Sequence, residues 1–63
     1  MATNTEIQVE QRRQLYVLLL IKKENDKAGV KVLGLERAII AAKTVMNEAD
    51  VAYVEKMVAS IQL

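Results

Sequence analysis

The feature that most constrains this sequence is a run of seven consecutive apolar residues, Leu15–Ile21. Such a run covers nearly two turns of a helix, so apolar side chains would surround that helix on all sides. A helix in a small bundle needs an apolar stripe of only three or four positions in seven. The run therefore predicts a helix that is covered on more than one side.

The run lies inside a segment that predicts a first helix over about residues 6–24. Three consecutive residues before it can each supply an oxygen that caps a helix start: Thr3, Asn4 and Thr5. Glu6 follows them, where a negative charge interacts favourably with the helix dipole. Polar residues from position 22 onward are expected to end the helix in water. We expect residues 1–5 and 62–63, at the two ends of the sequence, to be frayed.

Two further segments have the heptad spacing of packed helices. Apolar residues separated by 4, 3, 4, 3 and 4 positions run from Ala28 to Met46 and predict a second helix over about residues 27–46. Two glycines weaken its first half, so its start could lie later, near Leu33. A third helix is predicted over about residues 48–61, with Asn47 as its N-cap.

A β-hairpin over residues 14–35 is the competing interpretation. Residues 14–21 and 30–35 could form two strands around a turn at residues 24–29, because polarity partly alternates in the second of them. However, the heptad spacing continues unbroken from Ala28 to Met46, which a strand would not produce. We therefore predict an all-α chain, a small two- or three-helix bundle with a helical hairpin formed by residues 27–61.

The length of the chain gives a reason to expect self-association. A single domain of 63 residues buries only about 60% of its unfolded surface. The sequence has no Cys or His, so disulfides and the usual metal sites are not available to stabilise it. We expect homo-oligomerisation, as a dimer or a higher assembly, to complete the bundle.

The predicted oligomer interface comes from the apolar run. Its members are Leu15, Tyr16, Leu18, Leu19 and Leu20. Leu15, Leu18 and Leu19 share one face of the first helix, whereas Tyr16, Val17 and Leu20 lie on other faces. We expect one of these faces to be buried within the chain and the other between chains.

Basic residues are concentrated in the middle of the sequence. Residues 11–43 contain eight basic and three acidic side chains, whereas the segments before and after them are each net negative. An oligomer could bind a nucleotide or nucleic acid through this region, with contacts from Arg12, Arg13, Lys22, Lys23 and Lys27. The only aromatic residues are Tyr16 and Tyr53, which provide no platform for stacked bases. A solvated helix surface is therefore the favoured interpretation.

Catalytic chemistry is disfavoured by the residue types present. His and Cys, the commonest general base and the thiolate nucleophile, are both missing. Residues 24–29 superficially resemble the opening of a calcium loop, but Ala28 and Leu35 stand where ligand oxygens are needed. We expect no catalytic residue, no cofactor and no bound metal.

The expected function is that of a non-catalytic helical protein-interaction module. Such a module would act as a homo-oligomer and as an adaptor, inhibitor or regulator of a larger protein. The alternative is a basic oligomer that binds a nucleotide or nucleic acid through residues 11–43. The lack of cysteine favours a cytoplasmic location, and the apolar run is far shorter than the roughly 18 residues that a membrane span needs.

Overall fold

The computed structural model describes residues 3–62 and consists of three α-helices. Helix α1 spans Asn4–Ala28, α2 spans Leu33–Thr44 and α3 spans Glu48–Ala59. Residues 29–32 and 45–47 connect them. Because no strand occurs within residues 3–62, the all-α prediction is confirmed and the alternative of a hairpin over residues 14–35 is wrong.

Helix α1 begins at a capping box. The Thr3 hydroxyl oxygen accepts a hydrogen bond from the backbone N–H of Glu6 at 3.2 Å, and the Glu6 carboxylate accepts one from the Thr3 N–H. The first residues of the helix are therefore Asn4 and Thr5, which we had expected to be frayed. Residues 1, 2 and 63, which belong to the same prediction, lie outside the described residues.

The end of α1 corrects the predicted boundary between the first two helices. The helix continues four residues past position 24, to Ala28, and Lys22 and Asp26 form an ion pair one turn apart within this extension. It ends at Gly29, whose φ of 73° is left-handed and whose N–H donates to the Asn25 and Asp26 carbonyl oxygens. The polar residues after position 21 do not end the helix, because polarity alone does not disfavour helical backbone. The helix ends at Gly29, which adopts the left-handed conformation without steric cost.

Helices α2 and α3 are shorter than predicted. Helix α2 begins at Leu33, the later of the two starts that the sequence allowed, and ends at Thr44 instead of residue 46. Helix α3 begins after Asn47, whose side-chain oxygen accepts from the Asp50 N–H at 2.8 Å, so the predicted N-cap is confirmed. It ends at Ala59 instead of residue 61.

Helix α1 is the central element, because α2 and α3 both pack against it and meet each other much less. Helix α2 runs antiparallel to α1: Gln11, near the start of α1, donates to the carbonyl oxygen of Val45, just past the end of α2. Helix α3 runs parallel to α1, since Arg12 contacts Asp50 near its start and Lys23 contacts Val58 near its end. The bundle is elongated, measuring 40 × 24 × 19 Å.

The core is small and draws on all three helices. Its buried centre consists of Leu15 from α1, Ile39 from α2, and Val54 and Val58 from α3. Partly buried apolar residues surround it: Tyr16, Leu18, Leu19, Leu20, Leu35, Ala42, Met46 and Val51. No polar or charged residue among those described is buried.

Candidate interaction surfaces

The apolar run of α1 contributes mainly to the chain's own core. Leu15 is 0% exposed, so it leaves no side-chain atom for a second chain to contact. The other residues of the predicted interface are partly buried against the same core: Tyr16, Leu18, Leu19 and Leu20. A second chain could reach only their outward parts, together with Val17, which is 47% exposed.

Many of the large apolar side chains nevertheless remain exposed. Among those described, four are buried and eight are partly buried. The other eleven are exposed: Ile7, Val9, Val17, Ile21, Val30, Val32, Leu33, Ile40, Val45, Tyr53 and Met57. The chain exposes 4966 Å² in total. A monomer of 7.1 kDa would expose roughly 4,100 Å². The excess is about 900 Å², and exposed apolar side chains contribute to it on all three helices and in both connecting segments.

One apolar surface follows the outer face of α1, the side that points away from α2 and α3. Val17 lies about 200° around the helix from the enclosed Leu15, and Ile21 is one turn further along the same side. Ile7 and Val9 are exposed near the start of the helix. A shallow, almost wholly apolar depression lies on this face, bordered by Arg13, Gln14, Val17 and Leu18.

A second apolar surface, the α2 ridge, consists of Leu33 and Ile40. Their side chains are 88% and 64% exposed and lie seven residues apart, on the same side of α2. Val30 and Val32 extend the apolar surface into the preceding loop. Sequence analysis did not predict this ridge. Leu33 and Ile40 are large apolar residues that lie outside the apolar seam of the predicted second helix, and this could have indicated that they are exposed.

Two clefts lie beside the C-terminal half of α1. One is bordered by α2 residues that include Leu35, and the other by α3 residues that include Val58. Lys22 and Asp26 line both clefts and pair with each other at 3.1 Å. This ion pair therefore separates the two clefts.

Three of the five predicted anion contacts bind groups of their own chain. Arg12 forms an ion pair with Asp50 at 3.1 Å, and its guanidinium lies 5.6 Å from the centre of the Tyr53 ring. Lys22 pairs with Asp26. Lys23 donates hydrogen bonds to backbone carbonyl oxygens at the end of α3.

The five basic residues do not form one cluster. Arg13 and Lys27 take part in no ion pair within residues 3–62. Arg13 and Lys22, nine residues apart, point to opposite sides of α1. The structure thus turns Lys22 away from Arg13 and engages Arg12 and Lys23 with groups of α3.

Other kinds of site have little support in the described residues. Within residues 3–62, no three side chains of His, Cys, Asp or Glu come together in a group that could hold a metal ion. None of the three described helices is long and apolar enough to cross a membrane.

No protein-family model, no curated protein and no solved structure matches this chain.

Proposed function

We propose that this chain is a non-catalytic helical interaction module that self-associates and binds a larger protein as an adaptor, inhibitor or regulator. One observation carries the proposal: eleven large apolar side chains within residues 3–62 are exposed, and six of them lie on α1 and α2. Contiguous exposed apolar surface is typical of sites of protein association. A chain with so small a core also gains stability from any partner that covers these faces.

The α2 ridge is the surface that we assign to the larger protein. Leu33 and Ile40 are exposed on one side of α2, two turns apart, with exposed Arg37 between them. Two apolar side chains at this spacing can serve as anchors in an apolar groove of a partner. The ridge lies on α2, whereas the outer face of α1 belongs to a different helix, so the two surfaces can be occupied together.

Affinity capture with a ridge variant tests the proposal. The chain is immobilised and exposed to extract of the cells that produce it, as wild type and as the double variant Leu33→Glu/Ile40→Glu. Ala52→Glu/Ala59→Glu is the matched control, because these alanines are also exposed, helical and seven residues apart, but on α3. We expect the wild type and the control to retain the same protein at 0.5 M salt, and the ridge variant to lose it.

The salt concentration separates the two kinds of binding that the sequence allowed. Contacts between apolar surfaces persist at high ionic strength, whereas binding to phosphates weakens steeply. Equal retention by the ridge variant, or retention of nucleic acid at low salt alone, would contradict the proposal. Circular dichroism of each variant verifies that it is still helical, which we expect because both ridge side chains are exposed.

A further inference from the structure

A row of six residues, four charged and two apolar, runs along the outer face of α1. Its six positions are separated by 3, 4, 3, 4 and 3 residues, the spacing at which helices pack in a coiled coil. They are Glu10, Arg13, Val17, Leu20, Glu24 and Lys27. We name these six residues the outer seam. It lies on the side of α1 opposite Leu15, and at its centre Val17 is exposed whereas Leu20 is partly buried against the core.

The order of charges along the outer seam is complementary to itself in the antiparallel direction. When two such helices pack antiparallel, a residue near the start of one seam lies opposite a residue near the end of the other. One alignment, centred between Leu18 and Leu19, sets Val17 against Leu20 of the second copy. The same alignment sets Arg13 against Glu24 and Glu10 against Lys27. A parallel alignment would instead place each charged residue beside the same residue of the second copy, so that like charges would meet.

The charges of the outer seam form no ion pair within residues 3–62. Every ion pair among residues 3–62 uses other residues: Arg12 with Asp50, Lys22 with Asp26, and Lys43 with Glu55. Arg13 and Glu24 cannot pair with each other in one chain, because eleven residues of helix separate them by about 16 Å. The four charged seam residues are therefore available to a second copy.

The apolar residues beside the outer seam extend the same surface. Ile7 and Ile21 lie along one edge and Val9 along the other, so together with Val17 they account for every large apolar side chain that is exposed on α1. The outer face thus combines the charge pattern of the outer seam with exposed apolar side chains along its length.

We infer that two copies of this chain associate through their outer seams, with the two α1 helices antiparallel. The inference rests on the proposed function, because it specifies the self-association that the proposal includes. Each α1 would then be covered on one side by its own α2 and α3 and on the other side by the second α1. Val17 and Leu20 form the apolar centre, and the four charged positions of each copy fix the direction.

A charge-swap cycle tests the direction of the contact. The variants are Arg13→Glu, Glu24→Arg and the double swap, and sedimentation equilibrium gives the dimer Kd of each. We expect each single change to raise the Kd roughly tenfold, because it places like charges together at two symmetric points. The double swap restores the opposite pairs, so its Kd returns to within about twofold of the wild type. Lys56→Glu on α3 is the control and leaves the Kd unchanged.

A second pair of variants tests the location of the contact. Val17→Glu inserts a charge at the centre of the outer seam, and Ile40→Glu makes the same kind of change on α2. Because both side chains are exposed in the single chain, both variants remain helical by circular dichroism. We expect Val17→Glu to be monomeric at tens of micromolar and Ile40→Glu to remain dimeric.

The outcomes separate this inference from the wider proposal. A wild-type dimer that withstands Val17→Glu, or a double swap that binds no better than the single variants, would overturn the inference while self-association still stands. A wild type that is monomeric at tens of micromolar would overturn both the inference and the self-association. Binding of a larger protein through the α2 ridge is measured independently by the capture experiment.

Discussion

Lys23 connects the middle of the molecule to the end of α3. Its ammonium group donates hydrogen bonds to the carbonyl oxygens of Val58, at 2.9 Å, and of Ile61. The last carbonyls of a helix have no donor within the helix, and the helix dipole favours a cation near them. The long side chain of Lys23 therefore stabilises the C-terminus of α3 from a neighbouring helix.

This contact predicts that two adjacent lysines differ in their effect on stability. Lys23→Met keeps the apolar stem but removes the donors, so we expect the free energy of unfolding to fall by about 1 kcal/mol. Lys22→Met breaks only the exposed pair with Asp26 one turn away, which is worth about 0.3–0.5 kcal/mol. Urea denaturation at one fixed protein concentration measures both. Equal losses would show that the contact of Lys23 with α3 contributes nothing of its own.

At the scale of single residues, the sequence indicates which side chains can bind anions or carbonyl oxygens, but not which groups of the chain they contact. Arg12 and Lys23 were predicted as anion contacts because they lie in a basic region. Their actual partners are at least 35 residues away along the chain, in α3. Only the packing of α3 parallel to α1 brings these groups together, and no local spacing reports that packing.

At the scale of the helices, the start of α2 is the least well capped. Val32 occupies the N-cap position with an extended backbone, and its side chain cannot accept a hydrogen bond. The other two helices begin with a side-chain cap, at Thr3 and Asn47. The first turn of α2 thus lacks a contribution that is typically worth about 1 kcal/mol.

Val32→Asp should therefore stabilise the chain. An aspartate at the N-cap can accept from the free N–H groups of the first turn and interacts favourably with the helix dipole, so we expect the free energy of unfolding to rise by about 0.5–1 kcal/mol. Val30→Asp is the control, because Val30 is equally exposed in the same loop but precedes the cap. The thermal midpoint at a fixed concentration is the measurement, and equal midpoints for the two variants would contradict the expectation.

Helix boundaries were predictable where a local signal exists. The caps at Thr3 and Asn47 are confirmed because a capping side chain acts on residues two or three positions away. The end of α1 was placed too early, because the Lys22–Asp26 pair supports helix in a segment that polarity alone suggested was a loop. The start of α2 had no capping signal, and the two glycines at positions 29 and 34 were the indication that it begins late.

At the scale of the whole molecule, the distribution of charge disfavours binding to a polyanion. The basic residues of α1 point in several directions, and three of the five predicted contacts bind groups of their own chain. Strong binding to nucleic acid requires many cations that reach the phosphates together. The net charge of +1 provides little attraction at long range.

We therefore expect no binding of a duplex DNA or of a single-stranded RNA at physiological salt. Fluorescence anisotropy with labelled oligonucleotides, at several salt concentrations, measures it. Binding in the micromolar range or tighter that weakens log-linearly with salt would support the alternative function. Replacing Arg13 and Lys27, which lack partners within residues 3–62, with Gln would then show whether they provide the contacts.

The fold class was predictable because heptad spacing is a property of the sequence itself. The arrangement of the helices was not, since α1 is apolar all round within residues 15–21 and offers a packing face in every direction. The structure resolves this ambiguity by placing α2 and α3 on one side of α1. Leu15 thereby became a core residue, whereas Val17 stayed exposed.

The parallel course of α1 and α3 has a mechanical consequence. Because the two helices point the same way, Asn4 and Ala59 lie at opposite ends of the 40 Å molecule. A tension applied between these ends would slide α3 along α1 in shear. The Arg12–Asp50 and Lys23–Val58 contacts would then bear the force together, whereas a molecule with adjacent ends would peel open one contact at a time.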